Sequence, residues 1–146
     1  MTSRTPAVID ALVTTMTAVL TTYDGRPVTS DTPSEFAIVG GTDDPDDESA
    51  TAEYEWAGLG AKARNQRGDV TCCVVVQSGD TDDVKAKRDR AYVLLNSLET
   101  AITANPTLAA VTSGQCLVTS DTLIQRQSTS GAVARLVFTV TFTARI

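Results

Sequence analysis

Five acids crowd into one short stretch, Asp43, Asp44, Asp46, Asp47 and Glu48, and oxygen-rich clusters of this kind are what Ca²⁺ and Mg²⁺ prefer. The spacing does not build such a site. An EF-hand loop needs acids at alternate positions, a Gly turn and a closing Glu, whereas here Pro45 sits inside the cluster and no Gly follows it. The tract TDDPDDESA is therefore read as a solvated or partner-facing loop. A second group, Lys62, Arg64 and Arg67 followed by Gly68, could grip a phosphate or the acidic loop of a neighbouring copy, although surface basic residues are ordinarily just solvated. Trp56, beside Tyr54, reads first as a core residue and second as an interface anchor, since Trp and Tyr dominate binding hot spots.

Several chemistries fall away on composition. The 146 residues contain no His, so no Ser-His-Asp or Cys-His pair, no His-ligated zinc and no general base with an ordinary pKa near neutrality is available. Ser113-Gly114 and Ser130-Gly131 read as turns, outside any nucleophile-elbow or phosphate-loop context. No catalytic constellation assembles, and no cofactor or metal is expected. The three Cys are Cys72, Cys73 and Cys116; neighbours on a strand point to opposite faces, so Cys72 and Cys73 cannot serve one metal or one partner thiol. They read as reduced, buried small hydrophobes of a cytosolic protein. The first residues carry one Arg and lead into no long apolar run, so neither a signal peptide nor a membrane span is expected.

Charge is unevenly distributed. With 12 Lys and Arg against 18 Asp and Glu the chain carries −6, and nine of those acids lie between Asp31 and Glu55, where no basic residue occurs. The other nine acids face all 12 basic residues, leaving the remainder at +3. Such acidity disfavours duplex DNA as a primary partner, because that affinity comes from neutralising phosphates. Separated acidic and basic regions suit head-to-tail pairing of subunits instead.

These residues must be held by a fold, and the length predicts a single domain over 1–146 with an ordinary core: 42% of residues are hydrophobic and 21% charged. Thr5-Pro6 reads as N-cap and first helical residue, and Val8, Ile9, Leu12, Val13, Met16, Val19 and Leu20 follow at helical spacing. That helix stops before Asp24-Gly25, and an irregular crossing segment runs from Gly25 to Pro33. A strand over Glu35 to Gly41 places Phe36 and Ile38 on one face. The acidic loop, Thr42 to Ala50, has too much like charge to order itself, and a second strand from Thr51 sets Tyr54 and Trp56 opposite Glu53 and Glu55.

Asp69 to Ser78 is β-branched almost throughout and apolar on both faces, which marks a central strand. Thr81 or Asp82 then caps a second helix bearing Val84, Ala91, Leu94, Leu95, Leu98 and Ile102, with a charged outer face, ending near Asn105-Pro106. Two long strands close the chain, Ala110 to Gln127 and the strictly alternating Ala134 to Ile146. At ~3.4 Å per residue the last would run to ~45 Å, so part of the hairpin is expected to project from the body. The whole predicts an α+β domain: a mainly antiparallel sheet, two helices packed on one face, and a long C-terminal β-hairpin. The other sheet face, with Val75, Val137 and a Thr column, is expected to lack cover within one subunit; Arg135 lies on it.

Taken in order, VIDALVTTMTAVL, FAIVGG, YEWAGLGAKARNQRGDVTCCVVVQSGD, RDRAYVLLNSLETAITANPTLAAVTSGQCLV and GAVARLVFTVTFTARI resemble the tail terminator (tail-to-head joining) proteins of long-tailed, non-contractile bacteriophages, the siphophages. The resemblance spans most of the chain and rests on order and texture. It implies a structural virion protein that forms a ring, usually hexameric, assembled in the host cytoplasm and located at the head-proximal end of the tail. Such a ring caps the tail tube, ends its polymerisation and meets the head-completion proteins. Its partners would be further copies of itself, the major tail tube protein and a neck protein, with DNA only passing through the lumen and no membrane involved. The size and acidity of the 42–50 loop depart from the family. In this setting Asp43, Asp44, Asp46, Asp47, Trp56, Lys62, Arg64, Arg67 and Arg135 are the candidate subunit or tube contacts. Two rival readings remain: a neck or head-to-tail stopper protein of the same virion, and a small α+β ligand-binding enzyme domain, which would show a closed body with a deep pocket.

Overall fold

The computed structural model describes residues 2–28, 32–42, 44, 46–58, 63–78, 84–128 and 131–146. Its elements run α1 (Thr5–Thr17), β1 (Thr22–Asp24), β2 (Glu35–Val39), β3 (Ala50–Trp56), β4 (Arg64–Ser78), α2 (Val84–Ala104), β5 (Leu117–Ser128) and β6 (Gly131–Arg145). This is the α+β architecture that the periodicity predicts. The sheet is open, ordered β1-β2-β4-β6-β5, with β3 paired to β4; every pairing is antiparallel except β1 with β2.

Both helices lie on one face. Val8, Leu12 and Met16 of α1 and Ala91, Leu94, Leu95, Leu98 and Ile102 of α2 share a core with Val70, Cys72, Val74 and Val76 of β4 and Leu136, Phe138, Val140 and Phe142 of β6. The helix start falls one residue earlier than the sequence suggests, with Arg4 at the cap position and no side-chain cap bond. Its anchor is tertiary: buried Gln66 of β4 accepts from the Arg4 N–H at 2.8 Å and donates to Ser3 Oγ and Thr5 Oγ1, each at 2.9 Å. At the other end of the sheet, Arg90 of α2 donates from Nε and Nη2 to the two carboxylate oxygens of Glu35 at 2.8 and 3.1 Å.

Three expectations need correction. β4 starts at Arg64 rather than Asp69, so β6 is paired along it from Asn65↔Arg145 to Ser78↔Ala132. The C-terminal hairpin therefore does not project; its inner strand has a neighbour of the same 15-residue length. The missing signal was polar: Arg64, Asn65, Gln66 and Arg67 do not look like strand formers, and pairing on both sides overrides their propensity. The loop expected over residues 42–50 ends one residue sooner, since β3 begins at Ala50, and Thr42 bonds to Asp44 and Asp47 among its described residues.

The third correction concerns the second sheet face. Val75 is only 3% exposed and Ile38 and Cys73 are fully buried. With Phe36 they form a second cluster, flanked by Tyr23, Val133 and Val137. The short strand β1, unpredicted because three residues carry no readable period, places Tyr23 edge-on against Phe36 at 5.6 Å between ring centroids. Because β1 and β2 are parallel, the link between them must return along their length, and Gln77 ties it to this face by donating to Thr32 Oγ1 and the Pro33 carbonyl. The lower part of the same face is polar and satisfied: Thr141 Oγ1 donates to Asp69 Oδ1 at 2.7 Å and lies 2.8 Å from Thr119 Oγ1. A lone subunit thus buries Phe36, Ile38, Cys73 and Val75 on this face, with Val133 and Val137 partly buried beside them.

Candidate protein-contact surface

β2 and β3 are two halves of one strand. Val39 faces Cys72 and Ala50 faces Val70, eleven steps on one side against two on the other, so nine residues are extra. They leave and rejoin at a single residue: Gly40 and Gly41 both donate their N–H to the Thr71 carbonyl at 2.9 Å, and the Thr71 N–H donates to the Ser49 carbonyl at 3.0 Å. Gly40 sits at φ +76°, a left-handed conformation that glycine adopts without steric cost and that turns the chain out of the sheet.

The excursion carries the acids. Thr42, 3% exposed, is its hub: Oγ1 donates to Asp47 Oδ2 at 2.6 Å and accepts the Asp44 N–H at 3.0 Å. Asp44 Oδ1 then accepts the Asp46 N–H at 3.0 Å, and the Asp44 carbonyl the Asp47 N–H at 3.2 Å. Asp44, Asp46, Asp47 and Glu48 are exposed, and none pairs with a Lys or Arg among the described residues. Asp43 lies outside the described residues. Among those described, no three acidic or thiol side chains converge as a metal-binding group.

At the far end of the same edge, β3 and β4 form a hairpin tip in which Trp56 faces Arg64 directly. Strand alternation puts Tyr54, Trp56, Arg64 and Gln66 on the helix-side face. The Arg64 guanidinium carbon lies 5.0 Å from the Tyr54 ring centroid and 5.8 Å from that of Trp56, both within cation–π range. Trp56 is 62% exposed and Tyr54 45%, so the core reading of Trp56 is overturned: it stands at the open end of the β3–β4 pair. Arg64 Nε is shut off from solvent and finds no hydrogen-bond partner among the described residues. Leaving such a donor unmet costs about 1–3 kcal/mol, partly offset by stacking on the rings.

The basic group read from the sequence does not hold together. Arg64 and Arg67 are three apart on a strand, which places them on opposite faces; Arg67 lies across from Glu53. Lys62 lies outside the described residues. Arg135 is distant from both, half-buried on the second face in register with Val75 and Ile124. The structure thus unites Trp56 with Arg64 and adds Tyr54, Thr42 and Thr71, which the sequence reading passed over. The alternation of Tyr54 and Trp56 with a short link to Arg64 was the available signal for the first.

The charged outer face of α2, to which no site was assigned, is a local network. Lys85 Nζ lies 2.6 Å from Asp89 Oδ2, and its hydrogen bond, with Arg88 assisting, holds the exposed Asp89 carboxyl below the usual range. All three Cys are buried, and none forms a disulfide among the described residues. Burial pushes the Cys72 thiol up to about 12 and raises that of Cys116. A recess of about 610 Å³ opens beside the start of α1, lined by Ser3, Arg4, Pro6, Asp10 and Ile146, without a nucleophile set against a base. No helix among the described residues is long and apolar enough to cross a membrane. The chain matches no protein-family model and no curated protein.

Proposed function

We propose that this chain is a non-enzymatic, ring-forming virion protein that caps a siphophage tail tube, ends its polymerisation and presents a surface to the head-completion proteins. The observation that carries the reading is where the unmet groups lie. Exposed aromatics, acids without a cationic partner among the described residues, and Arg64 beside the aromatics sit on the rim of an open sheet, which suits contact with other proteins rather than small-molecule chemistry. The resemblance in element order supplies the tail, and heterologous pairing that closes on itself supplies the ring. DNA enters only as passing cargo.

The test is end-capping. Tail tube protein polymerised in vitro would be mixed with the purified chain, and tube lengths and end occupancy read by electron microscopy. Ring density at one end only, with elongation arrested, supports the reading. Continued elongation beside an uncapped end overturns it, and binding only to an isolated head-completion complex would favour the stopper alternative.

A further inference from the structure

We infer that the Tyr54–Arg64–Trp56 face at the β3–β4 tip receives the acidic excursion of a second copy of this chain, head to tail; the inference rests on the ring-forming reading and specifies the contact. Complementary groups are left over at two places on one edge. Among the described residues, the excursion offers Asp44, Asp46, Asp47 and Glu48 without a cationic partner, and the tip offers Arg64 without a carboxylate. They cannot satisfy one another within a subunit. Thr71, where the excursion emerges, is seven strand residues from Arg64, a separation of ~24 Å at ~3.4 Å per residue. A copy displaced along the strand direction and rotated about a common axis brings one set onto the other and leaves one of each free, which is the geometry of a head-to-tail assembly that closes when the rotations sum to a full turn.

The chemistry of the contact follows from the side chains. Arg64 lies within cation–π distance of both rings with its Nε shut off from solvent, and its terminal Nη groups, which are not shut off with Nε, can pair with a carboxylate in a bidentate fork. The flanking Tyr54 and Trp56 supply rigid apolar area that excludes water around that pair, as hot-spot rings do. Thr42 fixes Asp44 and Asp47 beforehand, which lowers the entropic cost of docking. An acidic segment on every copy and a cationic tip on every copy make the second copy the occupant, ahead of an unrelated acidic protein.

Complementation between two full-length variants tests this. The first carries Asp44→Asn, Asp46→Asn, Asp47→Asn and Glu48→Gln and keeps the tip; the second carries Trp56→Ala and Arg64→Ala and keeps the excursion. All six positions lie outside the core, and circular dichroism verifies folding; Trp56→Ala alone is the substitute if the double change unfolds. By native mass spectrometry the wild type is expected to oligomerise and each variant alone to stay monomeric. An equimolar mixture should give a dimer of one copy each and nothing larger. Because Trp56 is the single Trp of the chain, the first variant's emission should shift to the blue when the second is added and return on raising salt to ~0.5 M, where screening is strong. A monomeric mixture beside an oligomeric wild type overturns the contact and spares the ring. A second variant that still self-assembles overturns it too and gives the tip to another partner. A wild type that stays monomeric, free and on tubes, removes the contact and the ring together.

Discussion

Leu108, Ala109 and Ala110 follow one another at φ +48°, +56° and +69°, a left-handed run in side chains that ordinarily avoid it. The fold over-determines them: Leu108 is buried, Asn105 Oδ1 accepts the Ala109 N–H at 3.0 Å, and Pro106 accepts the Cys116 N–H at 2.7 Å. Each such residue costs about 1–2 kcal/mol, whereas Gly would lose about 0.5–1 through the unfolded chain. Ala109→Gly, at an exposed position, is therefore expected to stabilise by up to about 1 kcal/mol in urea titration. Gly68 behaves oppositely, since a Cβ there would strike the buried Phe142 ring. Gly68→Ala should cost about 1–3 kcal/mol and lower the melting temperature. The thiols give a pH prediction. Cys72 stays protonated in the fold up to about 12 but ionises at its ordinary 9.0 once unfolded, so the unfolded state binds fewer protons above that point. Its contribution is complete below pH 9.0 and is lost as pH rises toward 12, and Cys72→Ser or Cys72→Ala should flatten the alkaline fall in melting temperature.

The β2–excursion–β3 element makes a sharper demand. Removing residues 41–49 would place Gly40 opposite Thr71 and restore one unbroken register from Val39↔Cys72 to Ala50↔Val70. The shortened chain should fold, with far-UV dichroism unchanged and stability within about 1 kcal/mol, since exposed insertions are weakly coupled to the body. Self-association should be lost. A shortened chain that is unfolded would show that the excursion holds the strands together. This element was half legible: Gly40-Gly41 and the acid run announce a loop, and the alternation after Thr51 announces a strand. Their collinearity was hidden, because register between distant segments is set by partners that no local pattern names.

Across the molecule, the two helices, the core face and the last strand could be read from period and branching, because burial imposes them residue by residue; the strand expected from Ala110 begins only at Leu117, after a turn that holds Leu108, Ala109 and Ala110 left-handed. The second apolar cluster could not. Its flanking residues are Tyr23 of β1, whose sequence says little by itself, and Val133 and Val137 of β6, while Gln77 reaches Thr32 and Pro33. The same distribution of contacts predicts a stability gradient. Amides in the middle of β4, paired on both sides and buried on both faces, and of β6, paired on both sides with one face buried, should exchange only on global unfolding, whereas those of the β3–β4 tip and the outer edge of β5 should exchange orders of magnitude faster. Hydrogen-exchange mass spectrometry of the isolated chain reads this, and tip amides as slow as those of Cys73 or Leu136 would refute it.

The pinch at Thr71 gives the molecule a splice port. Whatever peptide is threaded between Gly41 and Ser49 begins and ends at one point of the body, so its length and composition can be rewritten while every neighbouring strand keeps its place. Lineages carrying this scaffold are free to diversify there, and an affinity tag grafted into that port should ride on a folded subunit.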